Sequence, residues 1–140
     1  MKKLNYMLII STLIISCDNE NCYIQNIYVN EFIDLSLPIY SEITTTGNAI
    51  LLDKGGVEGL IIYHGVGNNY QVYDRNCSYN PCLPCSAIDS IDSGIAYCGC
   101  CPSAFNIANT GESINAPALL PLKMYRSNLN ISNKILHISN

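Results

Sequence analysis

Six of the chain's eight cysteines lie between Cys77 and Cys101. They fall into two tight boxes, Cys77-Ser78-Tyr79-Asn80-Pro81-Cys82-Leu83-Pro84-Cys85 and Cys98-Gly99-Cys100-Cys101-Pro102-Ser103-Ala104-Phe105. Thiols this dense are bridged covalently or by a metal, so the two loops must be neighbours in space. A chain of 140 residues has room for one small domain. Hydrophobic residues make up 49% and charged residues only 13%, which describes a packed, weakly charged globule. Trp is absent and Tyr is frequent, a composition that suits β-structure. The net charge of −4, with no basic cluster beyond Lys2-Lys3, excludes a nucleic-acid partner.

The N-terminus reads as an address. Lys2 and Lys3 form a basic region, and Met7 to Ile15 is apolar apart from Ser11 and Thr12. That run is shorter than the roughly 20 apolar residues a permanent transmembrane helix needs. Ser16 directly before Cys17 resembles the lipobox of bacterial lipoproteins. The resemblance implies a signal peptide over residues 1–16, cleavage before Cys17 and acylation of that cysteine. An ordinary secretory signal with Cys17 left over is the plainer reading. Residues 17–28 then form a polar, lipidated tether that contains Cys22, whose partner the sequence does not name. Anchoring would place the protein in the cell envelope, on the periplasmic or surface face, with the membrane as one partner and an unidentified envelope protein as another.

Residues 29–140 read as strands separated by turns. Ile24 to Leu37 has β-branched and aromatic residues in loose alternation, closed by Pro38, and Ile43 to Leu52 is a second extended segment broken at Gly47-Asn48. Gly59 to Tyr63 is a buried strand, and Gly65 to Asn69 turns it into Tyr70 to Tyr73. Asp92-Ser93-Gly94 between Ile91 and Ile95 marks another hairpin, and Ile131 to Ile138 a final strand or hairpin. No segment shows sustained helical periodicity. The expectation is a small all-β sandwich or barrel with the two Cys-rich loops at one end.

The box order resembles that of Rieske-type [2Fe-2S] domains, which carry C-x-H-x-x-C, then C-x-C-H-G-S-x-F, then a G…G-P-A…P-L pattern before an aromatic residue. Gly111, Ala116-Pro117-Ala118, Pro121-Leu122-Lys123 and Tyr125 follow the second box in that order. The resemblance covers about Val29 to Asn140, and is shared in particular with cysteine-rich Rieske-like lipoproteins of Bacteroidetes. It implies a Rieske-like antiparallel β-sandwich. Residue by residue it implies that Cys77 and Cys98 match the cysteine ligands, and that Cys82 and Cys100 match the disulfide that braces the two loops. Tyr79 and Cys101 stand where the family has its two ligand histidines. A Rieske centre needs two Cys and two His, and the chain's two histidines, His64 and His137, lie in neither box. A true Rieske centre is excluded.

Three chemistries remain for the six cysteines. All can be disulfides, with Cys82 to Cys100 among them. Four thiolates, the candidates being Cys77, Cys85, Cys98 and Cys101, can hold an iron–sulfur cluster or an all-cysteine zinc ion, since Cys82-x-x-Cys85 and Cys98-x-x-Cys101 have metal-knuckle spacing. A C-x-x-C pair can also remain redox-active. The envelope is oxidising, where thiols of small secreted domains pair. Exported Rieske proteins generally travel folded behind a twin-arginine signal, and this signal has Lys2-Lys3 and no Arg. Disulfides without a cofactor therefore lead. His64 reads as a strand-end residue rather than a ligand, Tyr79 as a cover over the boxes, and Asp74-Arg75 as a local ion pair or turn brace. No Ser/His/Asp set, carboxylate pair or phosphate loop appears, so no enzyme is expected. The leading expectation is a disulfide-stapled structural or interaction module, with an electron-transfer protein as the alternative.

Overall fold

The computed structural model describes residues 24–140. The expectations for the signal segment, for Cys17 and for Cys22 fall outside these residues. Among the described residues no helix is long and apolar enough to cross a membrane. The strands are β1 (Asn30–Asp34), β2 (Ala49–Leu52), β3 (Leu60–His64), β4 (Tyr70–Asp74), β5 (Ile88–Asp92), β6 (Ile95–Cys98), β7 (Ala104–Asn106), β8 (Glu112–Asn115), β9 (Met124–Asn130) and β10 (Ile135–Ser139). A 3₁₀ helix spans Pro38–Thr44. One antiparallel sheet has the order β1-β10-β9-β4-β3-β2 and the other β5-β6-β7-β8.

The run Leu60-Ile61-Ile62 explains why two sheets are needed. Successive side chains of a strand point to opposite faces, so a continuous apolar run must be covered on both. Leu60 and Ile62 face a core shared with Ile33, Ile43, Val72, Tyr125, Leu136 and Ile138. Ile61 faces a second core with Tyr73, Ile88, Phe105 and Ile107, which also takes in Cys77 and Cys98. The alternation in β4 is the same, with Val72 on the first side and Tyr73 on the second. Strands β3 and β4 are thus the partition between the two cores, and every residue of β3 except Tyr63 is buried.

Outer strands follow simpler rules. In β10, Leu136 and Ile138 point inward between half-exposed neighbours. The turn Ser93-Gly94 has positive φ at both positions, 51° and 79°, as the tight hairpin between β5 and β6 requires. Two segments differ from the sequence-based expectation. Only Asn30–Asp34 of the stretch Ile24 to Leu37 is a strand. Ile43 begins no strand; it lies in the last turn of the 3₁₀ helix, which Pro38 opens with its fixed φ. Ile43 is the buried residue of that helix and plugs the first core. Strand β9 was not anticipated, because Tyr125 is its one buried residue and the rest is largely polar.

The two cysteine boxes are the connections β4–β5 and β6–β7. The Asn76–Ala87 bridge closes the first connection, and the two lie side by side because the Gly99 amide of the second donates to the Ala87 carbonyl of the first at 2.9 Å. After β7 the chain returns past Gly111, which has φ of 69°. A Cβ there would sit 2.7 Å from Tyr73 Cε1, so only glycine lets the turn lie flat on the Tyr73 ring.

Candidate metal centre

Asp74 sets the first box. It ends β4, is fully buried, and has four donors around its carboxylate. Val57 N–H at 2.7 Å and the Tyr125 hydroxyl at 2.7 Å donate to one oxygen. Asn76 N–H at 2.8 Å and Glu58 N–H at 3.4 Å donate to the other. A buried carboxylate is tolerable only when satisfied in this way. Its effect is to fix the direction in which the chain leaves β4. Asn76, also buried, donates its side-chain amide to the Pro81 carbonyl at 3.1 Å, closing the loop. Cys77 N–H then donates to the Ser86 carbonyl at 2.8 Å, which points Cys77 into the second core. The sequence of Asp74-Arg75 suggests an ion pair or turn brace. Arg75 pairs with Asp53 instead, and Asp74 is the brace.

The second box begins as β6 ends. Cys98 N–H donates to the Ser103 carbonyl at 3.1 Å, so the chain from Cys98 to Ser103 is a closed turn that carries Cys101 on its rim. Ser103 is buried. Its hydroxyl accepts the Ala118 N–H at 2.9 Å and lies 3.2 Å from Cys101 Sγ.

These two turns bring three unpaired thiols together. The sulfurs of Cys77, Cys98 and Cys101 all lie within 4.8 Å of one another, and Cys77 Sγ is 3.9 Å from Cys101 Sγ. Cys77 is fully buried, Cys98 nearly so, and Cys101 is partly open to solvent. Each sulfur accepts a backbone N–H from two residues further on: Tyr79 to Cys77, Cys100 to Cys98 and Ser103 to Cys101. An N–H aimed at sulfur favours the thiolate over the thiol.

The three thiols differ in proton affinity. Burial pushes the Cys77 thiol up to about 12, and its hydrogen bond to Cys98 adds to this. Burial also raises Cys98, against the opposing bonds from Cys77 and from the Cys100 amide. For Cys101 burial is again the largest single influence and acts upward. The Ser103 hydroxyl and amide, with the Cys98 and Cys77 thiols, together outweigh it, and Cys101 lies below the ordinary thiol value.

The disulfide differs from the one implied by the family resemblance. Cys100 is bonded to Cys85, with a Cα–Cα distance of 5.5 Å, and not to Cys82. The pairing across the boxes gives the reason. The bond from Gly99 N–H to the Ala87 carbonyl fixes the register, and Cys85, whose carbonyl accepts the Ala87 N–H at 2.8 Å, lies opposite Cys100. Cys82 sits before the turn closed by the bond from Ser86 N–H to the Leu83 carbonyl. It is disulfide-bonded too, and none of the other cysteines from Cys77 to Cys101 is its partner. Of the four candidate metal ligands, Cys77, Cys98 and Cys101 converge, and Cys85 is withdrawn into the disulfide. Tyr79 offers its amide to Cys77 while half its surface faces solvent. His64 stacks on Tyr70 and its Nε2 lies 2.8 Å from the Gly67 carbonyl, and His137 Nε2 lies 2.7 Å from Asn30 Oδ1. Neither joins the thiols. Ser103 escaped the sequence reading as a site residue, although its place two residues after Cys101 is the signal that could have found it.

No family model and no curated protein matches the chain. Among solved structures, it is similar to a chain of the complex of reduced oxygenase and oxidized ferredoxin in carbazole 1,9a-dioxygenase. The identity is 15% over 82% of this chain and 94% of that one, with a TM-score of 0.51. A ferredoxin of Sphingomonas yanoikuyae B1 matches at 21% identity over 69% of this chain and 88% of its own, with a TM-score of 0.48. The ferredoxin of carbazole 1,9a-dioxygenase from Nocardioides aromaticivorans IC177 matches at 12% identity over 67% and 86%, with a TM-score of 0.47. The likeness is one of fold alone, a small Rieske-like antiparallel all-β fold. The residues present do not fit that fold's usual cluster. Two histidines are required on one iron, and here Tyr79 and a third thiol occupy those positions.

Proposed function

We propose that this is a lipid-anchored cell-envelope protein whose Rieske-like domain is a non-enzymatic metal-thiolate module. Cys77, Cys98 and Cys101 hold the metal. One observation carries the reading: three thiols stay unpaired and converge, each with an amide N–H on its sulfur, in boxes whose other three cysteines are disulfide-bonded. Neutral thiols gain little from such an arrangement, whereas metal-bound thiolates gain a charge-assisted bond apiece. Anchoring rests on the Lys2-Lys3 region, the apolar run and Ser16-Cys17. The membrane is then one partner and a further envelope protein the other. Electron transfer is the role that would follow if the centre cycles between oxidation states, as in the ferredoxins that share the fold.

A second reading is a stapled structural or interaction module without metal, and the Cys85–Cys100 disulfide and the bonded Cys82 favour it. One experiment separates the two. The full chain is purified anaerobically from its own cells, and metal, acid-labile sulfide and free thiols are counted before and after chelation and denaturation. Bound metal, with three thiols released on chelation, supports the metal module. Metal-free protein with those thiols oxidised supports the staple. In parallel, Cys17→Ser should abolish labelling by radioactive fatty acid; surviving label would overturn the anchor.

A further inference from the structure

The trio's shape narrows the metal. We infer that the site is built for one soft monovalent ion, copper(I), bound by three thiolates without a fourth protein ligand. This rests on the metal-module reading above and goes beyond it by naming the ion.

Three observations lead there. First, the sulfurs surround a point rather than two. Thiolates bound at about 2.3 Å to a single ion stand about 3.8 to 4.0 Å apart, the lower figure for a tetrahedron and the upper for a plane. The Cys77–Cys101 separation is 3.9 Å, and no pair in the group exceeds 4.8 Å. A two-iron cluster needs two pairs of ligands set apart across the iron–iron axis. The chain's fourth candidate, Cys85, is in a disulfide.

Second, among the described residues no fourth donor joins them. Among the described residues no histidine or carboxylate belongs to the group. The Ser103 hydroxyl already holds the Ala118 N–H and rests against Cys101 Sγ. Structural zinc sites are almost always closed by four ligands. Zinc here would keep a position for water, as in catalytic sites, rather than the closed set of four that structural zinc takes. Copper(I) is softer, is selected by thiolate ligands and is satisfied by three of them.

Third, the surroundings suit an anionic complex. Three thiols that bind copper(I) release three protons and leave a complex of net charge −2. The amides of Tyr79, Cys100 and Ser103 each point at one of its sulfurs. Cys101, partly open, is the edge by which an ion enters, while Cys77 and Cys98 form the buried floor.

The test uses the full chain, reduced and metal-free under anaerobic conditions. It is titrated with copper(I) against bicinchoninate, and separately with zinc(II). One copper(I) per chain is expected, with X-ray absorption showing three sulfur neighbours in one shell, and equimolar copper(I) should displace zinc(II). Cys77→Ser, Cys98→Ser and Cys101→Ser should each weaken copper binding by more than the roughly 10- to 100-fold that loss of an outer-shell partner costs. A far-ultraviolet spectrum for each variant guards against misfolding. Zinc(II) retained against copper(I), or iron with equimolar sulfide on the same thiols, would overturn the inference and leave the metal module standing. Three titratable thiols that bind neither ion would overturn both.

Discussion

The six-stranded and four-stranded sheets are neighbours held together by different means. The first core is made of aliphatic and aromatic side chains alone, among them Ile33, Leu60, Ile62, Val72, Leu136 and Ile138. Burial of each such side chain stabilises by about 1.5–3 kcal/mol. The second sheet has shorter strands, three to five residues long, and β5 and β8 are mostly exposed. Its core includes Cys77 and Cys98 as packing members, with Cys100 and Cys101 against its edge. Among the described residues the larger sheet's core holds no cysteine, whereas the smaller sheet's core packs on sulfur. The site therefore sits in the part of the molecule least able to do without it, and whatever occupies the thiols is coupled to that sheet's stability.

The sharpest way to break this contrast is at the seam. Asp74 joins the larger sheet, through Tyr125 and the Val57 turn, to the first box through Asn76 N–H. Asp74→Ala leaves at least two buried donors without partners, at about 1–3 kcal/mol each. The expected loss is about 4 kcal/mol in urea unfolding, and metal binding should fall with it because Cys77 loses its register. A loss under about 1 kcal/mol would show that the two sheets are not joined there.

Cutting the staple comes next. The Cys85–Cys100 bridge closes 15 residues, which in the chain-entropy model stabilises by about 3 kcal/mol. Cys100→Ala should remove about that much, and Cys85→Ala the same, with the pair together costing no more than either alone. Peptide mapping of unreduced protein should recover Cys85 linked to Cys100. A Cys82–Cys100 peptide would restore the family's pairing and refute the arrangement described here.

That pairing marks the boundary of what sequence alone could supply. Alternation and Gly-containing hairpins, which are local signals, were enough for a small all-β domain, and the resemblance in box order implied its Rieske-like form and the position of both loops. The disulfide was not legible. Cys82 and Cys85 are three residues apart, and which of them faces Cys100 depends on the Ala87–Gly99 hydrogen bond, a contact between strands. The convergence of Cys77, Cys98 and Cys101 was legible only as one set among several. Asp74-Arg75 reads in sequence as a local ion pair or turn brace, since nothing nearby tells that Tyr125, 51 residues on, will donate to the Asp74 carboxylate. The polar strand β9 escaped for a related reason: its pairing with β4 and β10, not its composition, makes it a strand.

The smallest expected effect tests whether the seam is electrostatic. Burial holds the Tyr125 phenol above its ordinary value, and the Asp74 carboxylate that accepts its proton pushes the same way. Tyr73 is raised by burial and by Tyr63. A raised phenol keeps its proton in the folded chain at pH values where the unfolded chain has begun to lose it, above about pH 10. The unfolded state then binds fewer protons, so stability is fully present below pH 10 and declines as pH rises beyond it, by up to about 1.4 kcal/mol per unit for each phenol. Tyr125→Phe should cost about 1 kcal/mol at pH 8, where Asp74 loses a donor. By pH 11 the gap to wild type should shrink, because the variant's unfolded chain no longer gains by ionising residue 125. Taking the difference between the two proteins cancels the thiols, which titrate alike in both. If the gap stays constant between pH 8 and pH 11, the Tyr125–Asp74 bond does not link folding to the proton, and the seam is held by packing alone.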